Sequence, residues 1–387
     1  MNIDKLLQFL KDKKNILFFN RLQALPKITI NDTQKFISEN QDKPIKEMLS
    51  QIKLQKRNIK KIPIAGEILF TQLGAQQASS CELAKYHELK FKDYNIIADL
   101  CCGIGIDLMH IAKDKEQVYA VDLDADTLRI AEFNCKNRDL NNINFKLGSA
   151  EEFDQQVEAI FIDPDRRMDS NRRINPEEYS PPFHKIMELR KITPNIAVKL
   201  SPAIDYKKLI LPVDSTLEFI SEDGVLKEIL LCMGKLSNEN CSRKAILLPS
   251  NMTLQNSDEK IKVSEIKKYL FEPDAAIIRA GLVQELGLII NYNLIDTKLA
   301  LLTGSKVTHI KFGKLYEVEL IINYDLKKVR KYVRDNEIGE LIIKTRGFPE
   351  SVEKFRKKIK LKGKRSVIMF ILRKGNEHII VFSQVNK

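Results

Sequence analysis

The sequence predicts an α/β protein, with a doubly wound parallel sheet in the middle of the chain, a helical region before it and small α+β modules after it. Three observations predict this. From about residue 76, short β-rich runs alternate with amphipathic helical stretches, the pattern of strand, crossover and parallel strand. At STLEFISEDGVLKEILLCMG two β-rich runs join through Asp223-Gly224, so a hairpin replaces the next crossover. The first 75 residues carry apolar side chains at helical spacing, and the whole chain of 387 residues is long enough for two or three domains.

In chain order, Ile3, Leu6, Leu7 and Leu10 recur at i, i+3, i+4 and i+7, as do Ile45, Met48, Leu49 and Ile52, so each set lines one face of a helix. Proline and glycine interrupt that periodicity between Pro63 and Gly74. Ser79-Ser80-Cys81-Glu82 reads as a capping box that opens a helix. Strands are expected over 95–100, 118–122, 144–147, 159–162 and 196–200, with a helix over 125–137 and a second capping box at Ser149-Ala150-Glu151-Glu152. Beyond Leu248 a helical stretch is expected around Asp274 to Leu286. GELIIKTRG, a basic helix ESVEKFRKKIKL, RSVIMFILR and HIIVFSQV then make up a small module. The expected divisions are 1–75, 76–248, 249–322 and 323–387.

A composition of 43% hydrophobic and 30% charged residues is that of a folded globular chain. No apolar run approaches the ~18 residues that cross a bilayer, and MNIDKLLQFLKDKK has an acidic residue and too short an apolar stretch for a signal peptide. Six cysteines without a CxxC pair give neither a disulfide framework nor a zinc ribbon, and a reducing cytoplasm is expected. The five histidines show no metal spacing, so no metal is expected. The net charge of +12 is uneven: residues 1–75 contribute +7, residues 76–245 contribute −6, and residues 246–387 contribute +11. The last 65 residues alone hold 18 basic and 7 acidic side chains. Either the ends hold a polyanion on which the middle acts, or these are lysine-rich solvated faces.

The chemistry concentrates in Ile97-Ala98-Asp99-Leu100-Cys101-Cys102-Gly103-Ile104-Gly105-Ile106-Asp107. A buried strand ends there in a turn whose glycines let backbone approach a ligand, at the sheet edge where open α/β folds bind. The next strand ends at Asp122, a carboxylate suited to a ribose diol. A dinucleotide wants a third glycine and a pyrophosphate. Here Leu108 stands in the third position, and Asp99 and Asp107 favour a sulfonium and an amino group. The residues therefore favour S-adenosylmethionine over a nicotinamide dinucleotide. Cys101 and Cys102 read as packing residues rather than nucleophiles. The second signal is Asp163-Pro164-Asp165-Arg166-Arg167 after the fourth strand, where one carboxylate and one carbonyl can aim an amine nitrogen. Arg166, Arg167, Arg172 and Arg173 either clamp phosphate or a base edge, or pair with Asp165 and Asp169. Lys199, in KLSP at the fifth strand, either meets substrate phosphate or satisfies Asp163.

Together, QASS, ADLCCGIGID, VDLD, DPDRR and KLSP resemble the class I S-adenosylmethionine-dependent methyltransferases, with their Rossmann-like sheet. The likeness extends over about residues 64–387 to a bacterial family in which EPDAAIIRAGLVQELG matches a ferredoxin-like segment, and IIKTRG with Leu361-Lys362-Gly363 a THUMP-like end. The resemblance implies that Asp99, Gly103 and Gly105 line the methionine part of the cofactor, with Gln77, Cys101 and Asp107 beside them. It implies further that Asp122 and Leu123 meet the ribose side, and that Ser149 and Ala150 lie near adenine. Ser149 replaces the aspartate that many class I enzymes carry, shifting adenine recognition to backbone or Glu151. Asp165 and Arg166 replace the last two residues of the Asp/Asn-Pro-Pro-aromatic motif, removing the aromatic that stacks on a flipped base. Asp163, Pro164, Arg166, Arg167 and Lys199 form the expected catalytic set. THUMP-type domains imply RNA, tRNA or rRNA, as the partner. An RNA-binding protein with a non-catalytic cofactor domain, and a methyltransferase for a small molecule or protein, remain as alternatives.

Overall fold

Apolar residues at helical spacing fold the first part of the chain into α1 (Ile3–Phe9), α2 (Lys13–Gln23), α3 (Ile30–Glu39) and α4 (Ile45–Asn58). The structure, a computed structural model, describes residues 3–25, 29–168, 171–172, 174–237, 241–257 and 259–385. Two short helices follow, α5 (Gln72–Gln77) and α6 (Cys81–Lys90), and then the sheet begins. Its elements run β1 (Ile96–Leu100), α7 (Ile106–Ile111), β2 (Gln117–Asp122), α8 (Ala125–Lys136), β3 (Ile143–Leu147) and β4 (Ala159–Ile162). A small ribbon, β5 (Arg167–Met168) with β6 (Asn171–Arg172), precedes α9 (Phe183–Glu188), β7 (Ile196–Leu200) and the hairpin strands β8 (Ser215–Glu222) and β9 (Val225–Met233). The chain divides into two compact units, Met1–Thr216 with Ile229–Glu239 and Leu217–Glu228 with Asn240–Lys387.

In the first unit the strands lie in the order β9-β7-β4-β1-β2-β3. The pairs from β7 to β3 are parallel and β9 runs antiparallel to β7. β4 and β7 are buried along their whole length, which explains why both read as unbroken apolar runs rather than alternating ones. Leu100 pairs with Val121 on one side and Ile162 on the other, and Ile162 with Val198. That register brings the carboxyl ends of four strands level at one edge.

The helical region is fixed to this sheet by a shared core and by three amide side chains. Ile3, Leu6, Ile45, Met48 and Ile52 bury with Ile106, Met109, Ile130 and Ala131 in one apolar cluster. Between them runs the segment Ile68-Leu69-Phe70. Gln51 of α4 donates to Phe70 O (2.7 Å) and accepts from Phe70 N (2.9 Å), and Gln55 donates to Ile68 O (2.9 Å). From the other side, Asn134 of α8 accepts from Leu69 N (2.7 Å) and donates to Leu69 O (3.0 Å) and Ile104 O (2.9 Å). All three amides are buried.

The second unit adds β10 (Arg243–Leu248) in parallel beside β8 and β11 (Met252–Gln255) antiparallel beside β10. This is why the two units divide inside the hairpin and not at residue 248. Next come β12 (Tyr269–Pro273), α10 (Ala275–Ala280), α11 (Val283–Ile290), β13 (Asn293–Leu294), β14 (Leu302–Gly304) and β15 (Gly313–Asn323). The chain closes with α12 (Leu326–Asp335), β16 (Ile338–Arg346), α13 (Val352–Arg356), β17 (Arg365–Lys374) and β18 (Glu377–Val385). One seven-stranded sheet, β13-β14-β12-β15-β18-β17-β16, runs through both regions that the sequence divides at 322. β15 crosses that position and pairs with β12 on one side and β18 on the other. The single helix expected around 274–286 is two, because Gly281 takes a left-handed conformation (φ 72°) and caps α10. The basic helix expected across ESVEKFRKKIKL is helical only over α13.

Asn134→Ala strips partners from three buried backbone groups at once. It should destabilise the fold by about 2–4 kcal/mol, read as a lower midpoint in denaturant titration; an unchanged midpoint would show that the Ile68-Leu69-Phe70 segment is held by apolar packing alone.

Candidate active site

The level strand ends gather four ionisable side chains: Asp99 in β1, Asp122 at the end of β2, Asp163 just after β4 and Lys199 in β7. After β1 the chain turns sharply, with Cys101 (φ 63°), Gly103 (φ 57°) and Gly105 (φ 84°) all left-handed. A Cβ at Gly103 would meet nothing within 4 Å, so open space lies over the turn. A Cβ at Gly105 would stand 3.3 Å from Ala131 Cβ, so glycine there serves the approach of α8. Gly103 N donates to Asp122 Oδ2 (2.9 Å) and Asp124 N to Asp122 Oδ1 (3.0 Å), which fixes the carboxylate at the rim of that space. Burial raises the Asp122 pKa against those two bonds.

Asp99 is 1% exposed, and neither of its carboxyl oxygens has a hydrogen-bond partner among the described residues. Burial first, then the nearby Asp107 and Asp163, push its pKa well above the ordinary 3.8. A buried carboxyl without a donor calls for a cationic partner. The amino group and sulfonium of S-adenosylmethionine meet that need, and a pyrophosphate would worsen it, so the residues present fit this donor. Asp99 and the turn would hold its methionine part and Asp122 its ribose.

Beside this lies a connected polar chain. Lys199 Nζ stands 2.7 Å from Asp163 Oδ2 and 3.5 Å from Asp107 Oδ2, and donates to Ser79 Oγ (3.0 Å). Ser79 donates to Asp107 Oδ2 (2.7 Å), and His87 Nδ1 donates to Asp107 Oδ1 (2.8 Å). Burial acts to raise the Asp107 pKa, but Lys199 and His87 outweigh it and hold the carboxyl far below its usual range. Of the two uses that the sequence left open for Lys199, the structure has its ammonium on Asp163, almost wholly buried.

Gln77 donates to Asp165 (3.2 Å), so it lies on the DPD side of the site. Leu123 is exposed beside Asp122. Ser149 caps a short turn by accepting from Glu151 N (3.2 Å), with Ala150 buried and Glu151 exposed, and Gly148 N donates to Asp122 O (3.1 Å). Pro164 is buried and Arg166 half-buried. The side chains of Arg167 and Arg172, together with Asp169 and Arg173, lie outside the described residues. Burial pushes the Cys101 and Cys102 thiols up, which suits packing rather than attack. The capping box at Ser79 is corrected: Ser80 caps α6 by accepting from Leu83 N, because Ser79 is committed to Asp107 and Lys199. His87 was not singled out from the sequence, since nothing in its spacing points to the site. Among the described residues no group of three or more His, Cys, Asp or Glu is arranged to hold a metal, and no helix is long and apolar enough to cross a membrane.

Asp99→Asn keeps the shape and removes the buried acid. Because the folded pKa lies above the ordinary value, the native state binds more protons between the two, and stability falls as pH rises through that range. Donor binding favours the ionised form, so affinity should rise with pH over the same range as a proton is released. The variant should melt higher than wild type near neutral pH and bind donor at least roughly tenfold more weakly. Thermal melts, and calorimetry in buffers of different ionisation heat, would test this, and superimposable pH profiles for the two proteins would reject it.

Residues 97–163 match the methyltransferase domain family, and residues 313–384 the THUMP domain-like family. An uncharacterised S-adenosylmethionine-dependent methyltransferase of Mycobacterium tuberculosis is 24% identical over 309 residues, covering 79% of this chain and 85% of its own. An uncharacterised RNA methyltransferase of Enterococcus faecalis is 31% identical over 91 residues, 20% of either chain. A crystal structure from Porphyromonas gingivalis W83, assigned as a methyltransferase, superposes with a TM-score of 0.77 at 20% identity, over 97% of this chain and 99% of that one. The level strand ends and the glycine turn lie in the segment that matches the methyltransferase domain family, and the chain is an S-adenosylmethionine-dependent methyltransferase of the class I fold with a THUMP-like domain at residues 313–384.

Proposed function

We propose that the protein methylates a base in RNA, tRNA or rRNA, with Asp163 orienting the acceptor nitrogen and the THUMP-like domain holding the RNA. The observation that carries this reading is the basic surface of that domain. Val329 and Val333 of α12 face the core. The rest of that helix turns Lys327, Lys328, Arg330, Lys331 and Arg334 outward, and Lys354, Arg356, Lys357 and Lys358 are exposed in and after α13. Arg330 donates to Lys358 O (2.9 Å), which ties the two stretches into one field. Such a field suits a phosphate backbone. The Enterococcus faecalis relative is named as an RNA methyltransferase, which supports the same reading.

When bound, S-adenosylmethionine supplies a methyl carbon on positively charged sulfur, so the residues of the chain mainly position the acceptor and complement charge. Lys199 occupies Oδ2 of Asp163 and leaves Oδ1 without a hydrogen bond among the described residues. Asp163 N donates to Leu100 O (3.2 Å) and Pro164 fixes the following φ, so the carboxylate is held at the strand end. Oδ1 would then accept an N–H of the acceptor and turn its lone pair toward the methyl group.

Asp163→Ala should lower methyl transfer to RNA from a strain lacking the gene by roughly 10²-fold, with donor affinity nearly unchanged by calorimetry; full turnover in the variant would remove Asp163 from the reaction. RNA affinity should fall with salt, with a slope of about −0.7 per phosphate contacted on single strands, and each α12 lysine replaced by alanine should flatten it. A salt-independent affinity, or wild-type protein that methylates none of that RNA, would turn the assignment toward a small-molecule or protein acceptor.

A further inference from the structure

The DPDRR sequence has an arginine where many amine methyltransferases carry an aromatic, yet the fold returns an aromatic to the same strand end. After Arg166 the chain leaves and comes back through a single antiparallel bridge, in which Asp165 N donates to Ser180 O and Ser180 N to Asp165 O, both at 2.9 Å. Antiparallel register then sets Tyr179 opposite Arg166. The tyrosine is 3% exposed, and its hydroxyl accepts from Ser201 N (3.3 Å) just past the end of β7. The ring therefore spans from the DPD strand to KLSP, the same two strand ends that the Lys199–Asp163 pair joins. The hydroxyl hydrogen of Tyr179 has no acceptor among the described residues. Burial first, with a smaller push from Asp163, raises the Tyr179 pKa against the opposing pulls of the Ser201 N–H and of Arg166.

We infer that Tyr179 reads the methyl acceptor: its ring walls the acceptor side of the site in place of the missing motif aromatic, and its hydroxyl donates to a hydrogen-bond acceptor on the substrate next to the atom that is methylated. With Asp163 Oδ1 accepting and Tyr179 donating, the paired groups fit an edge that presents an N–H beside a carbonyl oxygen or ring nitrogen, as amide-like and amidine-like edges of nucleobases do. The inference rests on the base-methylation reading and narrows its substrate class.

Tyr179→Phe keeps the ring and removes the donor. With RNA from a strain lacking the gene, kcat should fall at least roughly tenfold, while donor affinity and melting temperature stay near wild type. In combination with Asp163→Asn the two losses should fall well short of multiplying, because both residues hold one edge. A purely bracing role for the Ser201 contact predicts the reverse, a lower melting temperature and weaker donor binding with kcat intact, and would overturn the inference. If the variant does not fold, protein carrying 3-fluorotyrosine decides: the Tyr179 fluorine resonance should shift when the RNA is added to donor-saturated protein, and an unmoved resonance would reject contact. Wild-type protein inactive on this RNA would instead defeat the base-methylation reading, so the two failures are distinct.

Discussion

Lys199 carries one positive charge into a space bordered by Asp99, Asp107 and Asp163, and the arrangement of the site depends on how that charge is divided. Its ammonium meets Asp163 after β4, Asp107 on α7 and Ser79 on the link between α5 and α6. Three separate stretches of chain are thereby held at one point. A buried ion pair of this kind adds little net stability, but removing one partner costs about 3–5 kcal/mol because the other charges are stranded. Lys199 serves Asp163 and shares Asp107 with His87, and Asp99 is the carboxyl left over among the described residues. The shortfall of positive charge makes the crevice receptive to a cationic nucleoside and hostile to a phosphorylated one.

The strands, the glycine turn and the hairpin were legible in the sequence because local patterns encode them. Runs such as Ile160-Phe161-Ile162 and Ile196-Ala197-Val198 are apolar without alternation only where both faces are covered, and Asp223-Gly224 suits only a tight turn. The polar chain was not legible. Ser79 carries a local signal for helix capping and a tertiary one for Asp107, and the second prevails because an ionised, buried carboxylate gains more from the hydroxyl than a helix end with Ser80 available beside it. Tyr179 reaches the site only through the bridge between Asp165 and Ser180, a pairing across an irregular excursion for which no periodicity exists.

Charge counting also needed the fold. The tail is strongly basic, yet Lys344 and Arg346 of the IIKTRG run are both taken up by Glu272 of β12, to which Tyr316 donates as well (2.8 Å). Burial acts to raise the Glu272 pKa, and the bonds from Lys344 and Tyr316 overcome it. Those two cations link β16 to β12 within the sheet, and exposed basic side chains remain on α12 and around α13.

The three amides that clasp Ile68-Leu69-Phe70 come from α4 and α8, and the Asn134 partner lies 65 residues downstream of Leu69. A ribosome building the chain from its amino end therefore releases α1 and α4 long before their docking surface exists. Until α8 emerges, Ile3, Leu6, Met48 and Ile52 can cover one another but lack the Ile130 and Ala131 side of their cluster, so the helical region completes its core only after the sheet has begun to form.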